Sequence, residues 1–342
     1  ATGDTVTVPA GNCTWTSTVT IASKGITVTG AGIGSTNITD QGSGGAALAV
    51  TGASATNFVN ISGFTFIKST AQTWGMVQIS GTNFTHAFRF HHNNITHDTA
   101  GRGLSIFQVY GLIDHVTFTV ASGSVQSLSV FGTDNSVDAG YMAWQQPLAL
   151  GTANAVYVED STFTRGASTI SGEDAIDAYT GARLVIRHNQ FTNAHHGFHG
   201  TDSGSQRSPV SFEIYNNVYT NNSGTNSVGG GRMRGGTGVL FNNTWNGTNT
   251  WTDFVLVLYR ACGTNFSTWQ KCDGTVWELG SDVLSSSLSR TCSTTGNFRL
   301  DTATNEILGP EGGSYTKAFD GVGTGGYPCR DQIGWTTDAS GP

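Results

Sequence analysis

FVNISGFTF (Phe58 to Phe66), HAFRFHHNNIT (His86 to Thr96), YGLIDHVTFT (Tyr110 to Thr119), NAVYVEDSTFT (Asn154 to Thr164), GARLVIRHNQFT (Gly181 to Thr192), SFEIYNNVYT (Ser211 to Thr220) and TGVLFNNTWNG (Thr237 to Gly247) are variants of one unit. Each reads as a strand, a polar corner and a second strand. The copies recur every 24 to 29 residues or so, with one longer step of about 44. A repeat of that size marks a solenoid, because no single coil can bury its own apolar face. Inside each copy apolar and polar residues alternate, and β-branched or aromatic side chains fill the apolar slots. That is the period of a strand and not of a helix. The expected fold is all-β: a parallel β-helix over residues 1–260, with 261–342 as a covering segment of the same domain.

The composition agrees. Only 11% of the 342 residues are charged and 47 are glycine, yet 10% are Phe, Trp or Tyr, which separates the chain from a disordered one. Glycine and asparagine suit tight corners that pass through left-handed backbone. Asn94, Asn189, Asn217 and Asn243 recur before the second strand of their copies and are expected to stack as a structural ladder. The first residues (ATGDTVTVPAGNCTW) read as an opening coil whose exposed end needs either a cap or a partner.

A net charge of −7 argues against nucleic acid or an anionic membrane surface as partner, and no apolar run is long enough to span a bilayer. Cys262, Cys272, Cys292 and Cys329 crowd the last third without metal-type spacing. They read as two disulfides, and so as a secreted, extracellular protein. Cys13 is left over and is expected to pack as a small buried apolar residue.

A second set of strands precedes the repeats: DAIDAYT (Asp174 to Thr180), HHGFHGTD (His195 to Asp202), GRMRGGT (Gly231 to Thr237) and DFVLVLYR (Asp253 to Arg260). If Ile176, Phe198 and Met233 point inward, Asp177, His199, Arg232 and Arg234 point outward, with Tyr259 or Arg260 next in line. The scarce charges thus gather on one outer face. Arginine binds carboxylates and stabilises developing negative charge, and histidine exchanges protons near neutral pH. Tyr179 and Tyr259 can donate a proton or stack on a sugar. Glu173, Asp174 and Asp202 are candidate calcium ligands beside Asp177. Zinc is not expected from HHGFH or from HHNNITH (His91, His92, His97), because histidines spaced along one strand cannot share an ion.

The opening GDTVTVPAG and the segment GLIDHVTFT (Gly111 to Thr119) resemble the pectate-lyase-like right-handed parallel β-helix superfamily, which includes polysaccharide lyases, galacturonase-type hydrolases and phage tailspikes. The resemblance covers roughly residues 1–260. It implies that Asp114 and His115 lie near a binding cleft, and it transfers no catalytic set.

The leading expectation is a monomeric extracellular lyase on a uronic-acid polysaccharide. His199 would be the base, Arg234, Arg232 or calcium would neutralise the carboxylate, and a tyrosine would be the acid. A hydrolase using Asp174 and Asp177 is the rival within that class. A non-catalytic solenoid assembling end to end is the rival outside it. A carbohydrate-binding protein would use Trp144 and Tyr141 as its platform.

Overall fold

A computed structural model of the protein describes residues 2–42, 44–68, 74–82, 84–97, 101–120, 126–132, 148–166, 175–198, 209–222, 228–229, 231–233, 236–249, 251–253, 256–257, 298–301 and 306–310. At 228–229, 232, 237 and everything from 251 onward, only the backbone is described. The described residues contain no helix. They form three nine-stranded sheets, through which the chain passes in a fixed cycle. Sheet A runs from Asp4–Val8 to Thr237–Phe241, and sheet B from Gly11–Trp15 to Thr244–Gly247. Sheet C comprises Val19–Ala22, Leu48–Ala53, Val77–Gly81, Leu104–Phe107, Leu128–Phe131, Ile176–Tyr179, His196–Phe198, Gly231–Met233 and Leu256–Val257. Every strand of these sheets pairs in parallel with its counterparts one turn away. This is the parallel β-helix that the repeat predicted. A separate antiparallel hairpin joins Phe298–Asp301 to Glu306–Pro310.

Stacking in register puts like on like. Along the interior of sheet B, Phe118, Phe163, Phe191, Tyr219 and Trp245 form a continuous column with ring centroids 4.7, 4.9, 4.6 and 5.3 Å apart and planes within 10°. These spacings match the distance of about 4.8 Å between hydrogen-bonded strands, so the backbone ladder itself sets the ring stacking. Cys13 belongs to the same inward column, in register with Ile38 and then Phe66. It is nevertheless exposed, contrary to the sequence expectation, because the first described coil has a stacked neighbour on one side only. The other four cysteines lie outside the described residues.

The corner from sheet A to sheet B turns on one left-handed residue per coil: His92, His115, Asp160, His188, Asn216 and Asn242 have φ between 48° and 56°. In an earlier coil the same corner uses Gly63 (φ 81°), where an added Cβ would lie 2.6 Å from the Gly30 carbonyl oxygen, so only glycine fits. The next residue carries the ladder. The Oδ1 atoms of Asn243, Asn217 and Asn189 accept, each at 3.0 Å, from the backbone N–H of Asn217, Asn189 and Ser161. The ladder thins where Ser161 Oγ accepts from Val116 N–H. At its other end Asn93, and not Asn94, accepts from Phe64 N–H and donates to Ile61 O. Asn94 opens the following strand, so the expected ladder was shifted by one residue there.

The interior is not wholly apolar. Asp40, Lys68, His97 and Arg165 are all buried at the ends of sheet B strands. Burial, with the positive charges of Arg165 and Lys68 adding to it, pushes the His97 pKa down to about 3. Neither ring nitrogen hydrogen-bonds to a described residue. An unfolded histidine titrates near 6.5, so between pH 6.5 and 3 the unfolded chain holds a proton that the folded chain refuses. Stability therefore falls as the pH drops through that window. His97→Leu, which suits a position in register with Val120, is expected to lower the acid-unfolding midpoint by roughly half to one pH unit. Circular dichroism against pH checks this, and an unchanged midpoint would contradict it.

Candidate functional site

The outer face of sheet C carries two columns in register. Leu104, Ile106, Leu128, Val130, Ile176 and Ala178 point into the core. Alternation therefore turns Ser105, Ser129 and Asp177 outward in one column and Phe107, Phe131 and Tyr179 outward in the next. The rings of the second column stack at 4.7 and 4.6 Å, each pair within 8° of parallel. Although on the outer face, Asp177 is fully buried and Tyr179 nearly so, so neither is the solvated side chain that outward alternation would give.

One hydrogen-bonded network ties the columns together. Gln126 lies two residues before its strand and bridges four groups. Its Oε1 accepts from Arg102 Nε (2.5 Å) and Ser129 Oγ (2.8 Å), and its Nε2 donates to Asp177 Oδ2 (2.6 Å) and Tyr179 Oη (2.6 Å). The Tyr179 hydroxyl donates to Asp177 Oδ2 at 2.5 Å, while Asp177 Oδ1 accepts from the Ala178 backbone. Burial, together with the Asp177 charge, raises the Tyr179 pKa well above the usual phenol value, and Arg102 opposes the shift. The phenol therefore keeps its proton at any physiological pH. A phenol held neutral in this way does not serve as a base.

Trp74 and Arg102 lie against this network. Trp74 is 39% exposed and meets Phe131 edge-on at 6.0 Å. The Arg102 guanidinium carbon lies 4.9 Å from the Trp74 ring centroid, 5.5 Å from Phe131 and 5.8 Å from Tyr179. A half-exposed indole, a cation and a buried acid–phenol pair offer a stacking face, an anion-binding group and a proton donor side by side.

Of the residues expected from sequence, Asp177 and Tyr179 are here, on adjacent columns of one strand. Ile176, Phe198 and Met233 do face the core as expected. Asp177 is in register with Gly197 and then with Arg232, so the position of Arg232 falls in the Asp177 column two coils on. His199, Arg234, Glu173, Asp174, Asp202, Tyr259, Arg260 and Trp144 lie outside the described residues. His115 lies elsewhere, at the corner between sheets A and B, stacked on His92 and not joined to Asp177 and Tyr179.

Trp74, Arg102, Gln126 and the Phe107–Phe131 stack were not anticipated. Their signal is the parallel between LSIF (Leu104–Phe107), LSVF (Leu128–Phe131) and IDAY (Ile176–Tyr179), each apolar, polar, apolar, aromatic.

The chain is similar in structure to an alginate lyase. That enzyme, from Paenibacillus sp. str. FPU-7, aligns at 16% identity over 75% of this chain and 93% of its own, with a TM-score of 0.40. ORF18 of Geobacillus virus E2 aligns at 13% identity over 75% of this chain and 54% of its own, with a TM-score of 0.23. No protein-family model and no curated protein sequence matches the chain. Likeness at this level does not extend to substrate or site residues.

Proposed function

We propose that the protein is a secreted lyase that binds a uronic-acid polysaccharide along the outer face of sheet C and cleaves it by β-elimination. The observation that carries this reading is the Trp74–Arg102 pair set over the Asp177–Gln126–Tyr179 network. The indole stacks on a sugar face, and the Arg102 guanidinium pairs with a uronate carboxylate, stabilising the negative charge that develops when the α-proton leaves. A base takes that proton from C5, the C4–O bond breaks, a C4=C5 double bond forms, and the departing oxygen takes a proton. Tyr179 supplies that last proton, and Asp177 orients its hydroxyl. We assign the base to His199, the residue that follows Phe198 in the sequence, and further positive charge to Arg232 and Arg234. Calcium held by Glu173, Asp174 and Asp202 is the alternative source of positive charge at the carboxylate.

The test is incubation of the protein with a panel of polyuronates, with calcium and with chelator, reading ultraviolet absorbance of unsaturated ends beside an assay for new reducing ends. A lyase raises both signals. New reducing ends without absorbance would make the protein a hydrolase, and silence in both across the panel would overturn enzymatic cleavage and favour a binding or structural solenoid.

A further inference from the structure

We infer that the corner between sheets A and B holds a divalent transition-metal ion, of the zinc, nickel or copper class, between two successive coils through His92, Asp114 and His115. This lies away from the face of sheet C and does not depend on the activity proposed there. His91 is in register with Asp114, so the residues that follow them, His92 and His115, occupy the same left-handed corner one coil apart (φ 49° and 53°). Their imidazoles lie face to face, with centroids 4.7 Å apart and planes 5° from parallel. One ligand atom from each of His92, Asp114 and His115 lies within 4.8 Å of the others.

The surroundings match those of a metal site. His115 Nδ1 is 2.9 Å from Asp114 Oδ2, and His92 Nδ1 is 2.8 Å from His91 Nδ1. Pairs of ring nitrogens and carboxylate oxygens that share protons in this way are pairs that a cation can bridge. Asp114 is itself fixed by a bidentate contact from Arg89 at 2.9 and 2.8 Å, and His91 by Asn60 Oδ1 at 2.8 Å. Outer partners of this kind hold ligands in place and tune their basicity. His92 and His115 are exposed, so an ion has a route in and water can complete its coordination.

Zinc bound at about 2.0–2.1 Å in a tetrahedron sets its ligand atoms roughly 3.3 Å apart. Rotation of the two exposed imidazoles, moving their ligand atoms by at most about 1.5 Å, closes the remaining gap. Imidazole ligands select this class of cation over calcium, which needs six to eight oxygens or so. Neither histidine is required by the backbone, since Asn216 and Asn242 fill the equivalent corner in later coils. Reading along one strand misses the cluster, because its two imidazoles are neighbours only across coils.

The same equivalence supplies the test. The tag-free full chain is titrated calorimetrically with zinc chloride, nickel chloride and calcium chloride, and compared with His92→Asn, His115→Asn, the double variant, and His188→Asn as a corner control. Asparagine tolerates this backbone, so metal-free circular dichroism and Tm are expected to be unchanged. Wild type and His188→Asn are expected to bind one more zinc or nickel ion than the double variant. Each single variant is expected to bind that ion about 10- to 100-fold more weakly, and calcium is expected to give no such difference. Equal stoichiometry and affinity in wild type and double variant, zero binding in both included, would overturn the inference.

Discussion

Tyr179→Phe is expected to lower turnover on a cleavable polyuronate by about 10²- to 10⁴-fold, the range for loss of a positioned proton donor. The substitution removes one oxygen and keeps the ring, so the stack on Phe131 at 4.6 Å survives and the fold is retained. Asp177 Oδ2 keeps its bond from Gln126, so the carboxylate is not stranded. KM should change little, because the substitution leaves the Trp74–Arg102 pair and the ring stack in place. Steady-state kinetics with a thermal melt on the same preparation separates the two effects. Turnover near the wild-type value in a folded variant would remove Tyr179 from the chemistry.

Phe163→Ala carries the largest expected cost in stability, about 3–5 kcal/mol. Phe163 is fully buried and stacks on Phe118 below and Phe191 above, at 4.7 and 4.9 Å. In a solenoid each coil is stabilised chiefly by its two neighbours, so a cavity in the middle of the column weakens both flanks together. Backbone pairing of the Thr162–Arg165 strand fixes the surrounding frame, which limits collapse into the void. Denaturant titration of wild type and variant measures the difference. A loss below about 1 kcal/mol would mean that the column is not a main source of stability.

The parts of this molecule that repeat, the asparagine ladder included, were legible from the sequence, and contacts between unlike residues of neighbouring coils were not. Sheets A and B announced themselves because each copy carries two alternating strands around a polar corner of fixed length. Sheet C was half seen. Its strand at Ile176–Tyr179 was expected, but Val77–Gly81, Leu104–Phe107 and Leu128–Phe131 were not, because they are short, nearly uncharged and preceded by segments of unequal length. Their omission hid the Phe107–Phe131–Tyr179 stack and with it Trp74, Arg102 and Gln126. The Asn93–Asn94 pair shows the limit at a corner, since two adjacent asparagines leave the register ambiguous by one residue. His92 and His115 show it across coils: 23 residues apart in the chain, they touch only because the strands before them are paired. Cys13 shows that inward position and burial part company in a coil stacked on one side only.

Removing one arginine from each of two faces of the helix decides which face holds the polymer. Arg102 and Arg187 are matched probes. Arg187, on sheet A, also lies over an aromatic ring (5.0 Å from the Tyr157 centroid), and it pairs with Glu159 at 2.5 Å. Wild type, Arg102→Ala and Arg187→Ala are run by native electrophoresis in gels containing alginate or polygalacturonate. Retardation of the wild type that Arg102→Ala abolishes and Arg187→Ala leaves intact is the predicted result. Retardation that survives in Arg102→Ala and disappears in Arg187→Ala would move the binding face to sheet A and contradict the account.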